Sequence, residues 1–135
     1  MELHHIGYLV KDMERAVTEF CALGYQKTSE IVYDAFRDIR ICFLSSKAMP
    51  HGGVLIELVM PVSDASVVAS LAKKLGASPY HLCYLVDDLA EAAAALRARG
   101  YVPMAETTPA PALHDSPAAF YFHRQVGIVE LICHD

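Results

Sequence analysis

Residues 2–10 form a run of branched, aromatic and imidazole side chains that stops at the charged pair Lys11-Asp12, a pattern that suits a β-strand. Asp12 then stands where a helix cap belongs. Met13, Ala16, Val17 and Phe20 recur at helical spacing behind it, and Gly24 follows as a stop. Strand-like runs come next at 25–33, 39–44 and 54–60. The second half has the same order: a strand over 80–86, Asp88 as cap, Leu89, Ala92, Ala93 and Leu96 on one helical face, and Gly100 as stop. Further strands are expected there at 101–105, 118–123 and 127–133. Between the halves, Asp64 is placed to cap a helix with Val67, Val68, Leu71 and Leu75 on one face and Gly76 at its end. Pro109, Pro111 and Pro117 mark 105–117 as a loop, and 49–53 reads as a turn.

The two halves are copies of one unit. At a shift of 76 positions, His5–Tyr25 falls on His81–Tyr101 with nine identities in 21 positions. At a shift of 73, Ile56-Glu57-Leu58 falls on Val129-Glu130-Leu131. The predicted architecture is therefore α+β, with two tandem βαβββ modules: module 1 over 1–62, a linker helix within 63–77, and module 2 over 78–135. Together they make one domain over 1–135.

Strand alternation puts His5, Gly7 and Leu9 on one face and Ile6, Tyr8 and Val10 on the other. In the second half His81, Cys83 and Leu85 oppose Leu82, Tyr84 and Val86. The Ile/Tyr/Val and Leu/Tyr/Val faces suit packing under the helices, which leaves the histidines on the opposite face. Glu57 and Glu130 each lie between apolar neighbours, and a carboxylate buried in such a strand needs a partner. Two histidines and two glutamates at repeat-related positions would satisfy one another around a divalent cation, so His5, Glu57, His81 and Glu130 are the candidate ligands. The repeat selects His5 over His4, because Tyr80 aligns with His4. His51, His114, His123 and His134 are expected at the surface, His123 with some prospect of supporting the site.

Composition narrows the function. Of 135 residues, 54% are hydrophobic and 20% charged, enough apolar matter for a packed core. A formal charge of −5 argues against a nucleic-acid binder. No apolar run approaches the roughly 18 residues that span a bilayer, and the amino-terminal residues do not resemble a signal peptide. A soluble, cytoplasmic protein is the expectation. Cys21, Cys42, Cys83 and Cys133 form no Cys-x-x-Cys pair and are expected to be buried free thiols.

At His5-Ile6-Gly7 with Val10-x-Asp12, Ile56-Glu57-Leu58-x-x-Pro61, Tyr80-His81-Leu82 with Val86-Asp87-Asp88-Leu89, and Val129-Glu130-Leu131, the sequence resembles the vicinal oxygen chelate superfamily, the glyoxalase and bleomycin-resistance fold. The resemblance covers nearly the whole chain. It implies that the modules form a curved mixed sheet around a metal-binding cleft, with His5, Glu57, His81 and Glu130 as ligands. The ligand set fits methylmalonyl-CoA epimerase-like and glyoxalase I-like members alike, and the segment Asp64–Gly76 resembles the epimerase linker. Epimerases carry a second catalytic carboxylate on the strand matching 39–44. Here Arg40 occupies that position, with Asp38 two residues earlier as a substitute and Asp34 as a poorer one.

A nitrogen and oxygen ligand set without cysteine suits Co, Ni, Mn, Zn or Fe as the divalent ion. The resemblance implies a metal-dependent isomerase, epimerase or lyase that removes a proton alpha to a carbonyl or thioester. Glu130 would be the base and Asp38 the acid/base on the other face. Glyoxalase I (lactoylglutathione lyase) is the enzymatic alternative, and a non-catalytic small-molecule binding protein of the same fold is the alternative of another class. Paired edge strands make a homodimer the expected assembly.

Overall fold

The computed structural model describes residues 1–49 and 51–133. Pro50, within the expected turn, and His134 lie outside the described residues. The elements run β1 (Glu2–Leu9), α1 (Met13–Ala22), β2 (Tyr25–Lys27), β3 (Val32–Asp34), β4 (Ile39–Ser46), β5 (Leu55–Pro61), α2 (Ala69–Leu75), β6 (Ser78–Val86), α3 (Leu89–Ala98), β7 (Val102–Pro103), β8 (Thr108–Ala110), β9 (Ser116–His123) and β10 (Gly127–Cys133), with a 3-10 turn at Pro111–Leu113.

The strands form one open, curved, mixed sheet in the order β2-β4-β5-β1-β6-β10-β9-β7, with β3 added beside β4 and β8 beside β9. The repeat explains the order. β1 and β6 begin the two copies and pair antiparallel at the centre, and each is flanked by the parallel last strand of its own half, β5 or β10. Asp12 and Asp88 cap α1 and α3 by accepting from the backbone N–H of Arg15 and Glu91. Gly24 and Gly100 follow the helices at φ 97° and 91°, a left-handed geometry that glycine adopts without a Cβ penalty.

The sheet's two faces carry separate cores. On the helix side, Val10, Met13, Cys42, Leu44, Ile56 and Leu58 pack with Ile6 and Tyr8 under α1, and Val86, Ala92, Val129 and Leu131 pack with Tyr84 under α3. On the other side, Leu9, Ile39, Ile41, Phe43 and Val59 gather with Val68 and Ala72 next to α2. Cys83, Ala110, Ala118 and Ile132 gather opposite. His5, Glu57, His81 and Glu130 lie between these last two clusters.

Three elements depart from expectation. The run 25–33 breaks into β2 and β3. The linker helix starts at Ala69 rather than after Asp64, with Val67 and Leu75 exposed; Asp64 instead contacts Lys73 Nζ at 3.1 Å. The segment 105–117 is not simply a loop. It contains β8, which lies along β9 with Pro109 opposite Pro117. Facing residues of an antiparallel pair alternate between bonded and non-bonded positions, and only the non-bonded kind tolerates two prolines. No helix among the described residues is long and apolar enough to cross a membrane.

Candidate metal centre

Strand register assembles the cluster. Gly7 on β1 stands between Glu57 on β5 and His81 on β6. One row away, His5 stands opposite Cys83, which in turn neighbours Glu130 on β10. Gly7 and Cys83 are repeat equivalents. In each half, the small residue two positions beyond the histidine makes room for the histidine of the other half. Phe43, opposite Glu57, packs edge-on to His5 at 5.3 Å between ring centroids; Phe120, opposite Glu130, does the same to His81 at 5.4 Å. These small and aromatic partners were not singled out from the sequence, although the repeat relation of Gly7 to Cys83 was a usable signal.

All four predicted ligands come together within one chain, each at most 5% exposed. His5 Nε2 and His81 Nε2 face each other at 3.2 Å, and Glu130 Oε1 lies 3.1 Å from both. Glu57 closes the group, with Oε2 3.5 Å from His5 Nε2 and Oε1 3.6 Å from His81 Nε2. Ligands bonded at about 2.1 Å to one cation stand roughly 3.0–3.4 Å from each other. Glu130 Oε1 has no directed hydrogen bond despite its burial, and the facing Nε2 atoms share at most one proton between them. The donor set thus fits a divalent cation and is poorly satisfied by its own members. His4 Nδ1 lies 2.8 Å from His5 Nδ1. If His5 Nδ1–H donates to His4, the lone pair of His5 Nε2 is turned into the cluster. Cys83 is a poor competitor, because burial first, then Glu130 and Glu57, push its thiol up and keep it protonated.

Burial is the main force on both carboxylates, with different results. It raises Glu57 to about 7, with Glu130's charge adding to the rise and His5 opposing it. Burial also pushes Glu130 upward, but its short contacts with His5 and His81 and their charges outweigh this and hold it well below the usual carboxylate range. A folded-state value above the ordinary 4.5 of Glu57 means that the folded chain holds the extra proton between those values. Stability of the metal-free chain should therefore fall as pH rises from about 4.5 through about 7, by roughly 3 kcal/mol at most from this group. Melting of the chelator-treated chain across this range checks it: Tm should drop with rising pH, and Glu57→Gln should flatten that slope. A Tm independent of pH, or the same slope in the variant, would contradict the assignment.

The cluster opens on a cavity of about 710 Å³. Its walls are mainly apolar, including Ile39, Ile41, Leu71, Leu113, Phe120 and Ile128. Arg37, missed in the sequence, ties the two halves together across it. Nη1 donates to Asp34 Oδ2 at 2.7 Å and to the Pro109 carbonyl at 3.0 Å, while Nη2 donates to Thr108 Oγ1 at 2.7 Å. Its guanidinium also lies 5.8 Å from the Phe120 ring centroid. Asp34 lines the cavity but is already paired with this arginine.

The structure does not bring Asp38 to the cluster. Its carboxylate accepts from Tyr33 Oη at 2.8 Å and from Ser63 Oγ at 2.5 Å, and these two bonds, Ser63's the larger influence, lower its pKa. Arg40 points to the helix side and meets Glu14 Oε1 at 2.8 Å. The cleft-facing positions of β4 are Ile39, Ile41 and Phe43, none of them acidic. His51 and His114 are exposed. His123 packs on Tyr101 at 4.5 Å, and its Nδ1 accepts from Gln125 N–H, apart from the cluster.

The model of the glyoxalase/bleomycin resistance protein/dioxygenase superfamily matches residues 4–120. Among solved structures, methylmalonyl-CoA epimerase from Mycobacterium tuberculosis is similar at 24% identity and TM-score 0.82, covering 99% of this chain and 88% of that one. A hypothetical protein from Bacillus halodurans C-125 reaches 21% identity and TM-score 0.82, with 99% and 94% covered. A variant of the Streptomyces coelicolor methylmalonyl-CoA epimerase in complex with 2-nitronate-propionyl-CoA gives 21% and 0.81, with 98% and 94% covered. At these identities the likeness concerns the fold. No curated protein matches.

Proposed function

Since the chain belongs to the glyoxalase/bleomycin resistance protein/dioxygenase superfamily, we propose that it is a metal-dependent isomerase or lyase that removes a proton alpha to a carbonyl or thioester. The observation that carries this reading is the convergence of His5, Glu57, His81 and Glu130 on one buried point at the floor of an apolar cavity. These four would hold a divalent ion such as Co, Ni, Mn, Zn or Fe. When bound, that ion supplies Lewis-acid stabilisation of the negative charge that develops on a substrate oxygen.

The chain's own residues do the rest. The cavity walls exclude water from the reacting carbon and take an apolar substituent. Glu130 is the base by family resemblance, and it becomes basic only as its contacts with the histidines loosen. Glu57 is the second candidate for holding the proton, likewise only as its contact with the ion loosens. Asp34 is committed to Arg37, Asp38 to Tyr33 and Ser63, and Glu106 stands at the exposed rim. The cluster is thus the main source of carboxylate chemistry in the cavity. This favours an isomerase or lyase that returns or releases its proton on one face over a two-base epimerase.

Deuterium uptake at the alpha carbon in heavy water tests the proposal, using metal-loaded chain with acyl-CoA thioesters and alpha-oxo carbonyl compounds. Exchange that needs the ion and is lost in Glu130→Gln or Glu57→Gln is expected, and the substitution that abolishes exchange while the ion is still bound identifies the base. Turnover of the methylglyoxal–glutathione adduct would favour the lactoylglutathione lyase alternative. Tight ligand binding without exchange in either substrate class would favour a non-catalytic binding protein.

A further inference from the structure

Position 80 breaks the alternation of β6. His81, Cys83 and Leu85 face the cleft, so Tyr80 would ordinarily point to the helix side with Leu82 and Tyr84. The β1–β6 register slips between Gly7 and Tyr8: Gly7 stands opposite His81, but Tyr8 stands opposite Pro79. Tyr80 is the extra residue of this bulge, and bulges re-aim side chains. Its ring packs with the cleft-side cluster of Leu9, Ile39 and Val59 and lines the cavity. It meets the His81 ring edge to face at 4.4 Å.

No described residue forms a hydrogen bond with the Tyr80 hydroxyl, whereas Arg37 and Asp34 are mutually committed. The half-buried ring thus leaves its hydroxyl without a protein partner at the cavity wall, where a ligand oxygen can accept from it.

We propose that Tyr80 is a ligand-contacting donor: its hydroxyl hydrogen-bonds an oxygen of the molecule that binds beside the His5–Glu57–His81–Glu130 cluster, selecting ligands that offer an acceptor oxygen at that point. This rests on the metal-site reading above. Its function would be to orient the carbonyl or carboxyl group and to stabilise charge on its oxygen.

The test uses the full chain loaded with Ni²⁺, titrated by calorimetry with acetohydroxamate, which offers two neighbouring oxygens, and with imidazole, which offers none. Tyr80→Phe should leave Ni²⁺ affinity, Tm and imidazole affinity unchanged and weaken acetohydroxamate about tenfold. Equal acetohydroxamate affinity in both chains overturns the inference and leaves the metal site standing. Parallel weakening of both probes, or loss of Ni²⁺, assigns Tyr80 a structural role and also overturns it. Failure of the unsubstituted chain to bind Ni²⁺ overturns the metal reading and this inference together.

Discussion

A Gly7→Ala chain should fold and yet fail to hold a divalent ion. A Cβ built on Gly7 falls within the van der Waals envelope of His81 Cε1 and Nδ1 and lies 2.7 Å from Nε2. The added methyl thus meets the ring of a proposed ligand. His81 is confined between Tyr80 and Phe120, so the ring has little room to tilt aside without leaving the cluster. Overpacking of this kind costs about 1–3 kcal/mol of stability, and displacing a ligand should lower metal affinity by a hundredfold or so, at the upper end of what supporting-residue changes do. Circular dichroism would report a retained fold and calorimetric titration with Ni²⁺ a lost site. The clash also predicts a coupling: in a His81→Ala background, Gly7→Ala should cost little further stability. Full Ni²⁺ affinity in Gly7→Ala would mean that His81 does not occupy this place in the working site.

The Glu57→Gln, Glu130→Gln double variant should lose bound metal without losing stability in the metal-free state. In the native chain both carboxylates are buried: burial prevails at Glu57, whereas the contacts with His5 and His81 outweigh it at Glu130. Glutamine keeps their shape; removing the Glu57 charge relieves a burial cost, and losing the Glu130 charge forfeits its histidine contacts, so the two effects oppose one another and the metal-free variant at about pH 8 should melt close to the native chain. The native chain purified without chelator should carry about one divalent ion. Excess metal at a hundred times Kd should stabilise it by about 2.7 kcal/mol, and the double variant should show neither effect. Metal retained at the native level would refute this ligand set. A metal-free variant much less stable than the native chain would mean that the carboxylates hold the fold together through their histidine contacts, making the cluster structural.

Much of this was legible in the chain. Asp12 and Asp88, each ahead of a helical apolar pattern and a glycine stop, specify α1 and α3 through local backbone chemistry. Ile6, Tyr8 and Val10 could be assigned to the helix side, and His5 to the other, because strand geometry fixes a period of two. His5, Glu57, His81 and Glu130 stood out because the repeat put two unusual residue types at matching places. Other features depend on distant partners. β8 looked like a loop because its prolines oppose strand formation on their own, and its edge pairing with β9 is not visible locally. Asp38 looked available for chemistry until Tyr33 and Ser63 were seen to occupy it.

The sequence by itself determined the two repeated copies, their helix caps, their buried faces and four residues suited to a cation, since each of these follows from side-chain type and spacing along the backbone. The tertiary structure alone decided which atoms meet. The central β1–β6 pairing sets Gly7 under the His81 ring and Cys83 opposite His5, and one slip in that register turns Tyr80 into the cavity. Arg37 reaches Thr108 and Pro109 only when the halves close on one another. Register and closure are long-range choices, set by how well both faces of the whole sheet pack at once.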